Sequence, residues 1–372
     1  MNAIKQLSNF GQSIWFDYIR REMLESGELR RLIEEDGVSG VTSNPSIFQA
    51  AISGGDEYLE AIRKAAGEGK SVIETYETLA IADIQRACDI MRPVFDATHG
   101  DDGYVSMEVS PYLANDTQKT IEEARRLFST IQRDNVMIKV PATEAGIPAV
   151  ETLIAEGLNI NVTLLFSLNM YKKVMEAYLN GLEKRAQSQD ISKGSVSVAS
   201  FFVSRVDSLA DEWLEKKIDA ENDAAKKTAM QALLGTAAVA NARLAYRAYE
   251  DVFSSDRFKK LAAKGARKQR ILWASTSTKN PAYSDVKYVQ ELIAPDSVNT
   301  VPPAALEAFR DHGVVENALA KPADDQKLLD QLAAVGVGID QVTDHLLNDG
   351  VVKFSKAFDQ LLQAIEKKMQ VA

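Results

Sequence analysis

Eight short apolar or β-branched runs punctuate this chain, and the stretches between them carry helical periodicity. The runs are Ile14–Tyr18, Val38–Ser43, Tyr104–Ser110, Val136–Val140, Ile160–Phe166, Ser195–Val203, Ile271–Ser275 and Val298–Val301. The intervening segments, for example Ser71–Met91, Asp116–Arg133, Leu168–Gln187 and Asp207–Ala248, read as amphipathic helices. Strands alternating with helices imply parallel βαβ units. Eight repeats fit a closed α/β fold, the (β/α)₈ or TIM barrel, better than an open doubly wound sheet, which usually has fewer strands. No G-x-G-x-x-G or G-x-x-x-x-G-K-[ST] follows any run, so dinucleotide and nucleotide-phosphate folds lack their main cue.

The 372 residues allow one large domain or two ordinary ones. No internal repeat, low-complexity segment or linker divides them. The expectation is one barrel domain over residues 1–372, with helical insertions at about 45–103 and 204–270. A helical C-terminal tail from Pro303 is expected to pack against the outside of the barrel. The formal charge of −10 disfavours nucleic acid and anionic membranes as partners. An anionic substrate must then be collected by a few local basic residues. Cys88 is the one cysteine, which excludes an internal disulfide and a thiolate metal cluster. His99, His312 and His345 show no metal-ligand spacing. The N-terminus lacks an apolar signal core and no run of about 18 apolar residues occurs, which points to the cytoplasm.

Active sites of such barrels lie at the C-terminal ends of the strands. Here those ends carry Asp17; Thr42, Ser43 and Asn44; Glu108; Lys139; Asn161 and Thr163; Ser200 and, five residues on, Arg205; and Ser275, Ser277 and Lys279. Lys139 is the sharpest anomaly, set in N-V-M-I-K-V-P-A-T. Keeping a free lysine neutral at pH 7 costs roughly 4.6 kcal/mol. An apolar setting removes much of that by disfavouring the charged form, which leaves a nucleophilic amine able to form a Schiff base.

Each residue also has a plainer reading. Lys139 can snorkel to water or pair with a neighbour. Asp17 can cap a helix, and Asn44 before Pro45 is a common capping signal. Glu108 can be an ion-pair partner, and Arg205 and Lys279 solvated charges. Jointly these readings are harder to sustain, because several charged groups would crowd one barrel mouth at considerable desolvation cost. A neutral lysine with nearby carboxylates instead suits imine formation, with the iminium as electron sink and the carboxylates as general acid and base.

Together the segments T-S-N-P-S (Thr42–Ser46), V-S-M-E-V (Val105–Val109), M-I-K-V-P-A-T (Met137–Thr143), N-V-T-L-L-F-S (Asn161–Ser167), S-F-F-V-S-R (Ser200–Arg205) and W-A-S-T-S-T-K-N-P (Trp273–Pro281) resemble the transaldolases, Schiff-base barrel enzymes of the non-oxidative pentose phosphate pathway. The order is right from about Asp17 to Val301, and the helical insertions look like the bacterial long-form branch. The resemblance implies transfer of a dihydroxyacetone unit from sedoheptulose 7-phosphate or fructose 6-phosphate to erythrose 4-phosphate or glyceraldehyde 3-phosphate. It implies no cofactor and no metal, and a monomer or homodimer. By the same resemblance Lys139 forms the Schiff base, Glu108 is the acid/base group acting through a water that Thr163 positions, and Asp17 takes the C4-hydroxyl proton. Asn44 and Asn161 hold dihydroxyacetone hydroxyls, and Arg205 binds the phosphate. Lys279 stands, two residues late, where many relatives have a second arginine; Ser200, Ser275 and Ser277 complete the candidate binding set. The alternatives are a lyase like the fructose 6-phosphate aldolases, which are shorter and have glutamine where Glu108 stands, and a non-catalytic sugar-phosphate-binding barrel.

Overall fold

In the computed structural model, which describes residues 2–187, 189–320 and 324–371, each of the eight runs overlaps a strand, with ends shifted by up to two residues. They are β1 (Gln12–Phe16), β2 (Gly40–Thr42), β3 (Tyr104–Glu108), β4 (Val136–Pro141), β5 (Ile160–Leu165), β6 (Ser197–Phe202), β7 (Arg270–Ala274) and β8 (Ser297–Val301). All pair in parallel in chain order, and β8 closes on β1, so the sheet is the expected (β/α)₈ barrel with additional helices. Parallel strands covered on both faces bury nearly every residue, which is why they read as continuous apolar runs.

The β1 residue Trp15 lies against β2, paired with Gly40. A Cβ at Gly40 would come within 2.4 Å of the indole, so this position needs glycine. The Trp15 Nε1 donates to Asp102 at 2.8 Å, and Asp102 also accepts from Ser13 (2.6 Å) and Arg270 (2.8 Å). This polar knot sits at the N-terminal ends of β1 and β7, opposite the Lys139 end.

The first insertion is built from helices Pro45–Gly54, Leu59–Gly67 and Val72–Ala97. Val72–Ala97 starts from a Ser71–Glu74 capping box and runs past Met91 to Ala97 with Pro93 inside it. The stretch Asp207–Ala248, expected as one helix, is three: Ser204–Ala220, Ala224–Gln231 and Ala237–Phe253. Asp223 caps the second by accepting from Ala225 and Lys226, and Gly235 turns the chain at φ 69° before the third. Two buried aspartates of the first helix bind the other segments. Asp207 accepts from the Ala238 amide (2.7 Å) and the Tyr288 hydroxyl (2.8 Å), and Asp211 from the Gly235 amide (2.8 Å). The insertion therefore anchors the helix that carries Arg205.

The C-terminal helix Ile339–Val371 differs from its expected place outside the barrel, because part of it crosses the mouth. Phe354 reaches the cavity that holds Lys139, and Phe358 packs edge-on against Tyr76, ring centroids 5.2 Å apart. Lys368 ties the far end by donating to the carbonyls of Ile52 (2.7 Å) and Gly55 (2.6 Å), at the end of helix Pro45–Gly54. Nearer the barrel, Gly350 lies against Leu164 of β5, where an added Cβ would sit 3.0 Å from Leu164 Cδ2. Leu164 has φ 55° within a register shift of β5 against β6. That left-handed conformation is costly for leucine, and a bulge of this kind re-aims a side chain.

Candidate active site

Lys139 is placed by register. On β4 it pairs with Glu108 of β3 on one side and with Asn161 of β5 on the other. Its Nζ donates to the Ser43 carbonyl at 2.9 Å and lies 3.7 Å from Glu108 Oε2. The second separation is an ion-pair distance, too long for a hydrogen bond. Both side chains are only 6 % exposed, so water does little to stabilise either charge.

The carboxylates respond to that burial. Desolvation pushes the Glu108 carboxyl up to about 7, with the charge of Lys139 opposing and that of Asp17 assisting. Its Oε2 is buried without a hydrogen-bond partner. Asp17 follows β1, its amide donating to the Val301 carbonyl at 2.8 Å. Its carboxyl is also raised by burial, against the lowering effects of Lys139, a Thr42 hydrogen bond (2.6 Å), Arg205 and Lys279. Thr42 in turn touches the Thr300 hydroxyl at 2.6 Å. The buried Lys139 thus faces two acids that hold their protons unusually well.

Asp17, Asn44, Lys139, Thr163, Ser200, Arg205, Ser275 and Lys279 line one cavity of about 200 Å³ at the C-terminal end of the barrel. Two of the expected residues stand apart from it. Glu108 lines a neighbouring cavity, and Asn161 is fully buried beneath the floor. Asn161 accepts from Ser200 Oγ (2.6 Å) and donates to Ser106 Oγ (3.1 Å), so it fixes Ser200. The Thr163 hydroxyl is buried and unpartnered beside Lys139. Asn44 caps helix Pro45–Gly54 through Oδ1, accepting from the Ser46 and Ile47 amides at 3.0 Å. Those bonds use only its oxygen, and Asn44 also lines the cavity. The capping and binding readings of Asn44 are therefore compatible.

Arg205 sits in the first turn of helix Ser204–Ala220, its guanidinium 5.3 Å from the Phe202 ring centroid and its Nη1 buried without a partner. Burial lowers its pKa, while Asp349 of the C-terminal helix and Asp17 raise it. Ser275, at φ 56°, accepts from the Ser204 amide at 2.9 Å and joins the exit of β7 to the start of that helix. Lys279 is exposed at the rim, donating to Ser277 Oγ at 2.8 Å. The helix N-terminus and two cations make this end of the cavity suited to a phosphate. Sequence reasoning missed the Ser43 carbonyl, Thr300 and Phe354. A backbone acceptor leaves no residue signature, and Phe354 belongs to a helix whose docking place no local pattern announces. Among the described residues no three His, Cys, Asp or Glu side chains gather as a metal site would require, and no helix is long and apolar enough to cross a membrane.

Residues 14–365 match the family described as transaldolase/fructose-6-phosphate aldolase. A transaldolase of Trichodesmium erythraeum is 47 % identical over 99 % of this chain and 98 % of its own length. A transaldolase of Mycolicibacterium smegmatis is 49 % identical over 98 % and 97 %, and a "transaldolase 2" of Nostoc punctiforme 46 % over 100 % and 98 %. The chain belongs to the transaldolase/fructose-6-phosphate aldolase family, and its activity is that of a transaldolase.

Proposed function

We propose that this enzyme transfers a dihydroxyacetone unit between sugar phosphates through a Schiff base on Lys139. The observation that carries the reading is the buried Lys139 amine 3.7 Å from a carboxyl whose pKa is pushed to about 7. The neutral amine adds to the ketose C2 carbonyl, forming the C–N bond, and a proton moves from nitrogen to oxygen. Glu108 in its acid form then gives a proton, through a water beside Thr163, to the departing hydroxyl, so the C–O bond breaks and water leaves.

In the next step Asp17 accepts the proton of the C4 hydroxyl. The C3–C4 bond breaks, its electrons flow into the iminium, and the aldose phosphate departs. The steps then reverse onto an acceptor aldehyde. A positive iminium beside Asp17 favours its carboxylate form, which keeps it a base despite burial. Arg205, with Lys279 at the rim, would take the phosphate, and the amide of Asn44 and the Ser200 hydroxyl held by Asn161 would take sugar hydroxyls. The substrates of this reading are sedoheptulose 7-phosphate or fructose 6-phosphate as donors and erythrose 4-phosphate or glyceraldehyde 3-phosphate as acceptors, in the non-oxidative pentose phosphate pathway.

Incubation with fructose 6-phosphate and borohydride should leave a reduced three-carbon adduct on the Lys139 peptide. An adduct on another lysine, or none from active enzyme, would refute the assignment. Free dihydroxyacetone measured with and without acceptor separates transfer from lyase activity; a transferase releases little in either case.

A further inference from the structure

Glu108 has a second neighbour besides the lysine. A second cavity of about 220 Å³, lined by apolar side chains such as Phe48, Tyr76 and Phe358 and by Glu77, Glu123 and Arg126, also reaches it. Among the described residues the two cavities share one wall residue, Asn44. Glu108 lines the side cavity and Lys139 the sugar cavity, although the two charged atoms are 3.7 Å apart. The buried Glu108 Oε2 lacks a hydrogen-bond partner. At the opposite end Ile73 and Tyr112 are 49 % and 53 % exposed, so the side cavity opens to solvent. Burial and the Glu108 charge push the Tyr76 hydroxyl's pKa up, so that hydroxyl stays a protonated donor inside it.

We propose that this side cavity is the water port of Glu108. Water made when the carbinolamine dehydrates leaves through it, and water that hydrolyses the last imine enters through it. The proposal rests on the Schiff-base reading of Lys139. Each half-reaction moves one water molecule. In dehydration the carbinolamine C–O bond breaks, nitrogen supplies the electron pair of the new C=N bond, and the leaving hydroxide takes the Glu108 proton through the water beside Thr163. Hydrolysis runs the same atoms backward, with Glu108 as base. Between the two steps the sugar cavity stays occupied by the bound three-carbon unit and by departing and arriving aldehydes, under Phe354. A separate route lets water exchange without displacing them. The volume has room for several waters.

The test follows oxygen. A donor ketose labelled with oxygen-18 at C2 is turned over with an acceptor, and the product ketose is reduced with borohydride at once to lock its oxygen. In the native enzyme the released water escapes, so the product C2 carries solvent oxygen. Two variants obstruct the port outside the catalytic set. Ser110→Leu fills the inner wall, where Ser110 makes no cap hydrogen bond, and Ile73→Trp covers the rim from an exposed helical position. Each should raise donor-oxygen retention per transfer at least about tenfold, the partition expected when escape is slowed by about 1.4 kcal/mol. The ratio is internal, so a lowered folded fraction does not affect it. Retention equal to the native enzyme's in both variants overturns the port, as does a native enzyme that already keeps the donor oxygen while its adduct is trapped on Lys139. Failure to trap any adduct on Lys139 defeats instead the Schiff-base reading.

Discussion

Glu108→Gln tests the electrostatics of the site through stability as well as rate. The carboxyl is held near 7 in the folded protein against an ordinary value of 4.5. At about 1.36 kcal/mol per unit, ionising it inside the fold costs about 3 kcal/mol more than in the unfolded chain. The sign follows from proton binding. A raised carboxyl pKa means the folded state holds the proton more tightly, so the penalty is absent below 4.5, grows as pH rises, and is complete above 7. Glutamine has nearly the same shape and no charge at any pH. Part of the gain is returned, because the Lys139 amine in the variant keeps the Ser43 carbonyl but loses its nearest anion.

The stability of the variant relative to wild type should therefore climb by about 1–3 kcal/mol between about pH 4 and about pH 8.5. Denaturant titrations at the two pH values measure it, provided the m-value is unchanged. In parallel the limb near neutral pH should vanish from the rate profile of imine formation, and that rate should fall by roughly 10²–10⁴-fold. A stability difference that is flat in pH, or that falls as pH rises, would refute the assignment of a desolvated acid at this position.

Arg205→Ala should weaken phosphorylated donors by about 10–100-fold while leaving dihydroxyacetone exchange nearly unchanged, because charge-assisted hydrogen bonds are worth about 1.5–3 kcal/mol. Steady-state kinetics with and without the phosphate checks it, and Lys at this position should restore only part, lacking the planar fork. Lys279→Met should move the acid limb of kcat/KM to higher pH. Lys279 lowers the Asp17 pKa, so its removal raises that pKa and Asp17 becomes ionised later in a titration; a limb that moves to lower pH would contradict this. Gly350→Ala should gain none of the roughly 1 kcal/mol that alanine normally adds to a helix interior, because its Cβ would press Leu164 at 3.0 Å. Thermal or denaturant unfolding reads the outcome.

The barrel was legible because burial on both faces writes each strand as an apolar run, and polar exceptions at its C-terminal end then stand out. Lys139, Glu108 and Asp17 are such exceptions, and register brings the first two together. Less legible was anything decided by a partner distant in sequence. Helix Ile339–Val371 is amphipathic wherever it docks, and its place over the mouth depends on Gly350 meeting a re-aimed Leu164. The break of Asp207–Ala248 was nearer to hand. Asp223 and Gly235 are ordinary cap and turn residues, masked by the strong helical composition around them. The family resemblance is what put Asn161 among the substrate ligands. In the structure its amide also bonds Ser106 and Ser200, partners supplied by the neighbouring strands that its own segment does not announce.

The remaining question is how a chain of charge −10 collects an anion and still runs acid–base chemistry beside it. At physiological salt the Debye length is about 8 Å, so the distant surface charge matters little inside the mouth and the local groups decide. Arg205 and Lys279 face the cavity from one side, and both also lower the Asp17 pKa. A bound phosphate would neutralise those two influences at the moment of binding. Asp17 would then be held ionised chiefly by the charge on Lys139 and by Thr42. Its basicity would rise just when a C4 hydroxyl is in place, so the phosphate would contribute to kcat as well as to affinity.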